Sequence, residues 1–106
     1  MFNDNGKNIL ITGASSGIGF YALVNLLKRE NYLFIPVRSF SRGQELKLKL
    51  KNYFNDEYLN KFLNLINDTD FSDLNNINKI REFIIEKKKI IDVLILNAGI
   101  QYTGGL

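Results

Sequence analysis

An open α/β fold, with a doubly wound parallel sheet of about four strands and three helices, is what three features of the 106-residue chain predict. Short apolar runs recur along the chain, several of them bounded by glycine or turn residues. Between them lie longer stretches whose apolar residues repeat at helical spacing. The first run passes into a helix through TGASSGIG, residues 12–19, which has the punctuation of a strand-to-helix turn.

Residues 7–12 hold Ile9-Leu10-Ile11 between Gly6 and Gly13, the signature of a short strand buried on both faces. A helix follows over 17–30, where Ile18, Ala22 and Leu26 fall four apart and Leu23 and Leu27 widen the stripe. The run YLFIPV, residues 32–37, is a second strand that ends close to Arg38, because proline is tolerated near strand ends and edges. Residues 43–54 read two ways: LKLKLK alternates like a half-exposed strand, while Gln44, Glu45 and Lys51 are good helix formers. A parallel neighbour strand requires a crossover, which favours the helix. Residues 55–60 read as loop and 61–66 as a weaker strand. Asp73 is placed to cap a helix over 74–89, with Leu74, Ile77, Ile80, Ile84 and Ile85 as its core-facing stripe and the lysines at 87–89 at its C-terminal end. Residues 90–96 form the strongest strand.

The length leaves room for one domain over 1–106 and none for a second, substrate-binding one. The chain has no cysteine and no histidine, which removes disulfides, thiol nucleophiles, the usual zinc sites and every mechanism that needs an imidazole base. The start MFNDNGKNIL lacks the order of a signal peptide, and IIDVLIL at 90–96 falls far short of the roughly 20 residues of a membrane span. A soluble, cytoplasmic protein is expected. The net charge of +3 is spread along the chain and interrupted by acids, so it marks solvated faces rather than a nucleic-acid surface.

The glycine turn carries the chemistry. Gly13 lets the chain turn off the first strand, Gly17 lets the backbone approach a pyrophosphate, and Gly19 lets the helix pack closely on the sheet. The N–H groups at about Ser16 to Gly19 then face an anion at the favourable end of the helix dipole. A turn of this kind also occurs where only packing is served.

Together, TGASSGIG and the DVLILNAG at 92–99 resemble the cofactor motif and the Asn-Ala-Gly signature of the short-chain dehydrogenase/reductase family. Asp70-Phe71-Ser72-Asp73-Leu74 is similar to that family's aspartate-containing turn after the third strand. The resemblance covers nearly the whole chain and corresponds to the N-terminal half of a family member. It implies a Rossmann-like sheet truncated to the order 3-2-1-4. It also implies that Gly13, Ser15, Ser16, Gly17, Ile18 and Gly19 cradle the pyrophosphate and nearby ribose phosphate. Asp70 would accept from the adenine amino group beside the Phe71 amide, with Asp68 as the alternative if the alignment slips by two. Asn97, Ala98 and Gly99 would lie against the adenosine ribose.

The end of the second strand, Val37-Arg38-Ser39, carries an arginine and no nearby acid. An acid there would bind the ribose 2′-hydroxyl of NAD, whereas an arginine pairs with the 2′-phosphate of NADP. Arg38 with Ser39 therefore favours NADP (NADPH) over NAD. TGASSGIGFYAL further resembles the light-dependent protochlorophyllide reductase branch and LNAGIQYTG a related reductase group, beside which a generic reductase stands equally.

The family's hydride transfer uses a Tyr-x-x-x-Lys pair. The residues four after Tyr21, Tyr32, Tyr53, Tyr58 and Tyr102 are Asn25, Pro36, Glu57, Phe62 and Leu106, so no catalytic residue is assigned and no metal ligand either. The expectation is the NADP-binding part of a reductase, inactive alone. Its alternatives are a non-catalytic dinucleotide-binding or regulatory module, or a gene remnant. With the fourth strand at an edge, Ile90, Ile91, Val93, Leu94, Ile95 and Leu96 form an apolar border that invites self-association or a complementing C-terminal half.

Overall fold

The computed structural model describes residues 6–15, 17–69 and 74–96. Strands β1 (Asn8–Thr12), β2 (Tyr32–Pro36), β3 (Leu63–Ile66) and β4 (Val93–Leu96) form one parallel sheet in the order β3-β2-β1-β4. Helices α1 (Gly17–Lys28), α2 (Phe40–Leu50) and α3 (Asp56–Phe62) lie in the connections from β1 through to β3, and α4 (Leu74–Glu86) lies between β3 and β4. Two successive steps in one direction put α1 to α3 on one face. The step back across β1 puts α4 on the other, as right-handed crossovers demand.

Alternation along the strands supplies both cores. Ile9, Ile11, Leu33 and Ile35 pack with Phe20, Leu23, Val24 and Leu27 of α1, Leu46 and Leu50 of α2, and Leu59 and Phe62 of α3. Leu10, Phe34 and Ile66 pack with Ile80 of α4, joined by the half-buried Phe83 and Ile84. β1 is buried on both faces and paired on both sides, with Ile9 and Leu10 aligned to Leu33 and Phe34 on one side and to Val93 and Leu94 on the other.

Four helices stand where three are expected, because residues 56–62, expected as loop up to residue 60 and as strand from residue 61, are helical, and β3 begins only at Leu63. The signal is local. The Asn55 side chain accepts from the Tyr58 N–H at 2.7 Å, and Asp56 and Glu57 place negative charge at the first turn. Residues 43–54 are indeed helical in their first part, but α2 begins at Phe40, where Ser39 caps it, and ends at Leu50. Within LKLKLK, Leu46 and Leu50 are buried and Leu48 is exposed, a four-residue spacing. The α1 stripe is also rotated from the expected one: Ile18 is 84% exposed, and Phe20 takes its place in the core. On α4, Ile77 and Ile85 are exposed rather than core-facing. They line an apolar groove of about 410 Å³ with Leu10, Ile80, Ile84 and Leu94. Asp73, the expected cap of α4, lies outside the described residues.

The ends of α1 and α4 share a device that the sequence conceals. Glu30 and Lys88 adopt φ of 59° and 56°, and the N–H of the next residue reaches back to Leu26 and Ile84 respectively. These are Schellman closures built without glycine. Behind the first, the fully buried Asn31 accepts from the Lys7 N–H at 2.9 Å and donates to the Leu26 carbonyl at 3.0 Å, tying α1 to the entry of β1. At the other side of β1, Asn8 N–H donates to Asp92 Oδ2 at 2.8 Å, and the Asp92 N–H returns to the Asn8 carbonyl.

An aromatic wall closes the first core: Tyr58 stacks on Phe54 at 4.9 Å between ring centroids and meets Phe62 at 4.7 Å, which in turn meets Tyr32 at 5.1 Å. The Tyr58 hydroxyl donates to the Leu27 carbonyl. Burial raises the Tyr58 phenol above its ordinary 10.0, and the negative charge of Glu30 adds to the rise. The folded chain thus holds the phenolic proton more tightly than the unfolded chain. Its stabilising contribution is intact below about pH 10 and is lost as pH climbs through the raised folded value. Urea melts of wild type and Tyr58→Phe at about pH 9 and about pH 11 should show the smaller alkaline loss in the variant. Equal losses in both proteins would contradict this account.

Candidate functional site

The strand order reverses at β1: β2 and β3 lie to one side and β4 to the other. In open parallel sheets the crevice beyond the strand C-termini at such a point is where ligands bind. The glycine turn occupies that position. Gly13 and Gly17 have φ of 64° and 62°, so the chain doubles back sharply between β1 and α1 in a conformation that side chains resist. A Cβ built on Gly17 would meet nothing within 4 Å, so the backbone there faces open space. Ala14 is buried beneath the turn, Ser15 is exposed on it, and Ile18 projects outward from the first turn of α1. Gly19 is buried, as close packing of α1 requires. This is a cradle open on the side of the α1 N-terminus, and its geometry fits a bound anion.

Arg38 and Ser39 follow β2, the parallel neighbour of β1, and therefore emerge at the same end of the sheet. Arg38 is exposed. Ser39 has a structural duty as well, since its Oγ accepts from the Arg42 N–H at 3.2 Å and lies 3.1 Å from Ser41 Oγ. The N-terminus of α2 thus opens beside Arg38, with its favourable dipole end toward the same side of the sheet.

Sequence reasoning missed the clasp that holds this corner together. Beyond Pro36, the Val37 N–H donates to the Ile66 carbonyl and the Thr69 N–H to the Val37 carbonyl, each at 2.9 Å. The buried Thr69 hydroxyl then donates to the Ile66 carbonyl at 2.7 Å. The loops after β2 and β3 are therefore joined at Val37 and Thr69, immediately before Arg38 and Asp70 in the chain. Gly43 is the second missed residue: a Cβ there would stand 3.1 Å from Asn67 Oδ1 and 3.3 Å from Leu65 Cδ1, so α2 sits close against this clasp. A glycine inside a helix, which costs about 1 kcal/mol relative to alanine, is the signal that could have revealed it.

Asp68 is exposed with φ of 58°, and its carbonyl accepts from Lys79 Nζ at 3.5 Å. Ser16, Asp70, Phe71, Asn97, Ala98 and Gly99 lie outside the described residues. Among the described residues there is no cluster of three or more metal-ligating side chains, and no helix is long and apolar enough to cross a membrane.

The family model described as short chain dehydrogenase matches residues 7–106. Over 97 residues the chain is 37% identical to the NADP-dependent 3-hydroxy acid dehydrogenase of Schizosaccharomyces pombe, covering 91% of this chain and 35% of that protein. Menthone neomenthol reductase from Mentha piperita superposes with a TM-score of 0.77 at 26% identity, covering 89% of this chain and 32% of that one. A structure of ElxO with NADPH bound superposes with a TM-score of 0.69 at 30% identity, covering 95% and 38%. The chain therefore spans about a third of the length of these relatives.

The backbone at Gly17 supplies a direct test of the cradle. Gly17→Ala introduces no overlap but forces alanine into left-handed backbone, and it should lower stability by about 1–2 kcal/mol in urea melts with an unchanged m-value. A neutral substitution would mean that the turn relaxes away from this φ.

Proposed function

The chain belongs to the short-chain dehydrogenase family, and on that premise we propose that it forms the NADP-binding part of a reductase. The observation that carries the reading is the placement of the positive-φ glycine turn and of Arg38 at one end of adjacent parallel strands. Nicotinamide dinucleotides are the family's cofactor, and hydride transfer is the chemistry that such a cofactor supplies when bound. This chain's own residues bind and orient: the turn from Gly13 to Gly19, including Ser15, Ser16 and Ile18, receives the pyrophosphate. Arg38, beside the Ser39-capped start of α2, receives the 2′-phosphate. Asp70 and Phe71 hold the adenine, and Asn97, Ala98 and Gly99 line the ribose.

An NADP-dependent relative at 37% identity and an NADPH-bound structure at 30% support the choice of NADP. The family's Tyr-x-x-x-Lys spacing occurs nowhere in these 106 residues, so as an isolated polypeptide they bind without turnover. Substrate selection then falls to polypeptide that completes the sheet beyond β4, where Leu94 and Leu96 are 55% and 68% exposed. A non-catalytic dinucleotide module is the second reading, favoured by the same missing pair. Addition of a complementing family segment with restoration of turnover separates it from the first.

The cofactor assignment predicts saturable NADPH binding, followed by fluorescence, that is tighter than NADH binding. Arg38→Ala should weaken NADPH by roughly tenfold or more while leaving NADH nearly unchanged, as expected for a charge-assisted contact worth about 1.5–3 kcal/mol. Equal losses for the two dinucleotides would remove Arg38 from 2′-phosphate recognition.

A further inference from the structure

Lys49 reaches from α2 to the glycine turn, where its Nζ donates to the Ser15 carbonyl, and the same ammonium lies 4.4 Å from the centroid of the Phe20 ring. Phe20 is buried at the start of α1 and held in place by Tyr53, with ring centroids 6.1 Å apart. A solvated lysine on a helix surface ordinarily points away from its own fold. Here one cation joins three elements: α2 that carries it, the turn whose carbonyl it binds and α1 whose aromatic ring it covers.

We infer that Lys49 is a positioning residue for the phosphate-binding turn, holding it through the Ser15 carbonyl and adding positive charge at the edge of the anion site. The inference rests on the dinucleotide reading above. Its physical basis is the flexibility of the turn itself, since two glycines at positive φ leave the segment free to rearrange unless something outside it is attached. The carbonyl of Ser15 is that attachment point, and the cation–π contact orients the lysine stem so that its ammonium arrives there. A positive charge held on the turn also raises the local concentration of a dianionic pyrophosphate. Lys49 therefore acts on the part of the ligand that NADPH and NADH have in common, in contrast to Arg38.

Three proteins test this: wild type, Lys49→Met, which keeps the unbranched stem without charge, and Lys49→Arg, which keeps the charge. Lys49→Met should weaken NADPH and NADH by the same factor, about threefold to fivefold as expected for an exposed charged contact. It should also flatten the ionic-strength dependence of binding, leave the melting temperature unchanged and speed hydrogen exchange at the amides of residues 13–20. Lys49→Arg should restore affinity and salt dependence. Wild-type affinity in Lys49→Met, a loss for NADPH alone, or a loss that tracks a lowered melting temperature without rescue by arginine would overturn the inference. Failure of wild type to bind either dinucleotide would instead sink the proposed function. In that event the exchange measurement, which needs no ligand, still decides whether Lys49 holds the turn.

Discussion

Burial of β1 on every side is the constraint on which the rest of the molecule depends. Ile9 and Ile11 face one helical layer and Leu10 the other, while β2 and β4 take both lines of backbone hydrogen bonds. A strand so enclosed leaves only its ends free. Its entry is tied by Asn31 through the Lys7 N–H and by the exchange between Asn8 and Asp92. Its exit is the glycine turn. Because the strand cannot shift, the turn is presented at a fixed place relative to the loops after β2 and β3.

That placement joins packing to chemistry. α1 must lie close to the sheet for Phe20, Leu23, Val24 and Leu27 to reach Ile9 and Ile11, and the buried Gly19 permits the approach. The same approach points the α1 N-terminus at the crevice. α2 is drawn in by Leu46 and Leu50 and by the absence of a side chain at Gly43, and its closeness brings both the Ser39 cap and Lys49 to the edges of the same crevice. The opposite layer is thinner. α4 covers Leu10, Phe34 and Ile66, yet Ile77, Ile85 and Leu94 remain around an apolar groove beside the edge strand. The two faces thus differ in completeness, with the glycine turn and the Ser39-capped start of α2 on the better-packed side.

Legibility in the sequence followed the range of the interaction. Helices α1 and α4 and the four strands are readable because apolar periodicity and turn residues act within a few positions, whereas α2 follows from the crossover that a parallel neighbour requires. The short helix at 56–62 was misread although its Asn55 cap and acidic first turn are local signals, since brevity hides periodicity. The rotation that exposes Ile18 and buries Phe20 was not readable: both residues are apolar, and only the position of the sheet decides which faces inward. Thr69 and Asn31 were equally silent. Each looks like an ordinary loop residue until a distant backbone group arrives beside it, the Val37 carbonyl for Thr69 and the Lys7 N–H for Asn31.

The sequence by itself determined the class of fold, the glycine turn, the family and the arginine after the second strand, because each is written in contiguous residues whose chemistry does not wait for partners. Tertiary structure decided which apolar residues form the core, how the loops after β2 and β3 are clasped, and that Lys49 meets a turn 34 residues away. Those outcomes depend on crossovers that bring remote backbone groups into contact, and a carbonyl such as that of Ser15 carries no sign in the sequence of the donor that will find it.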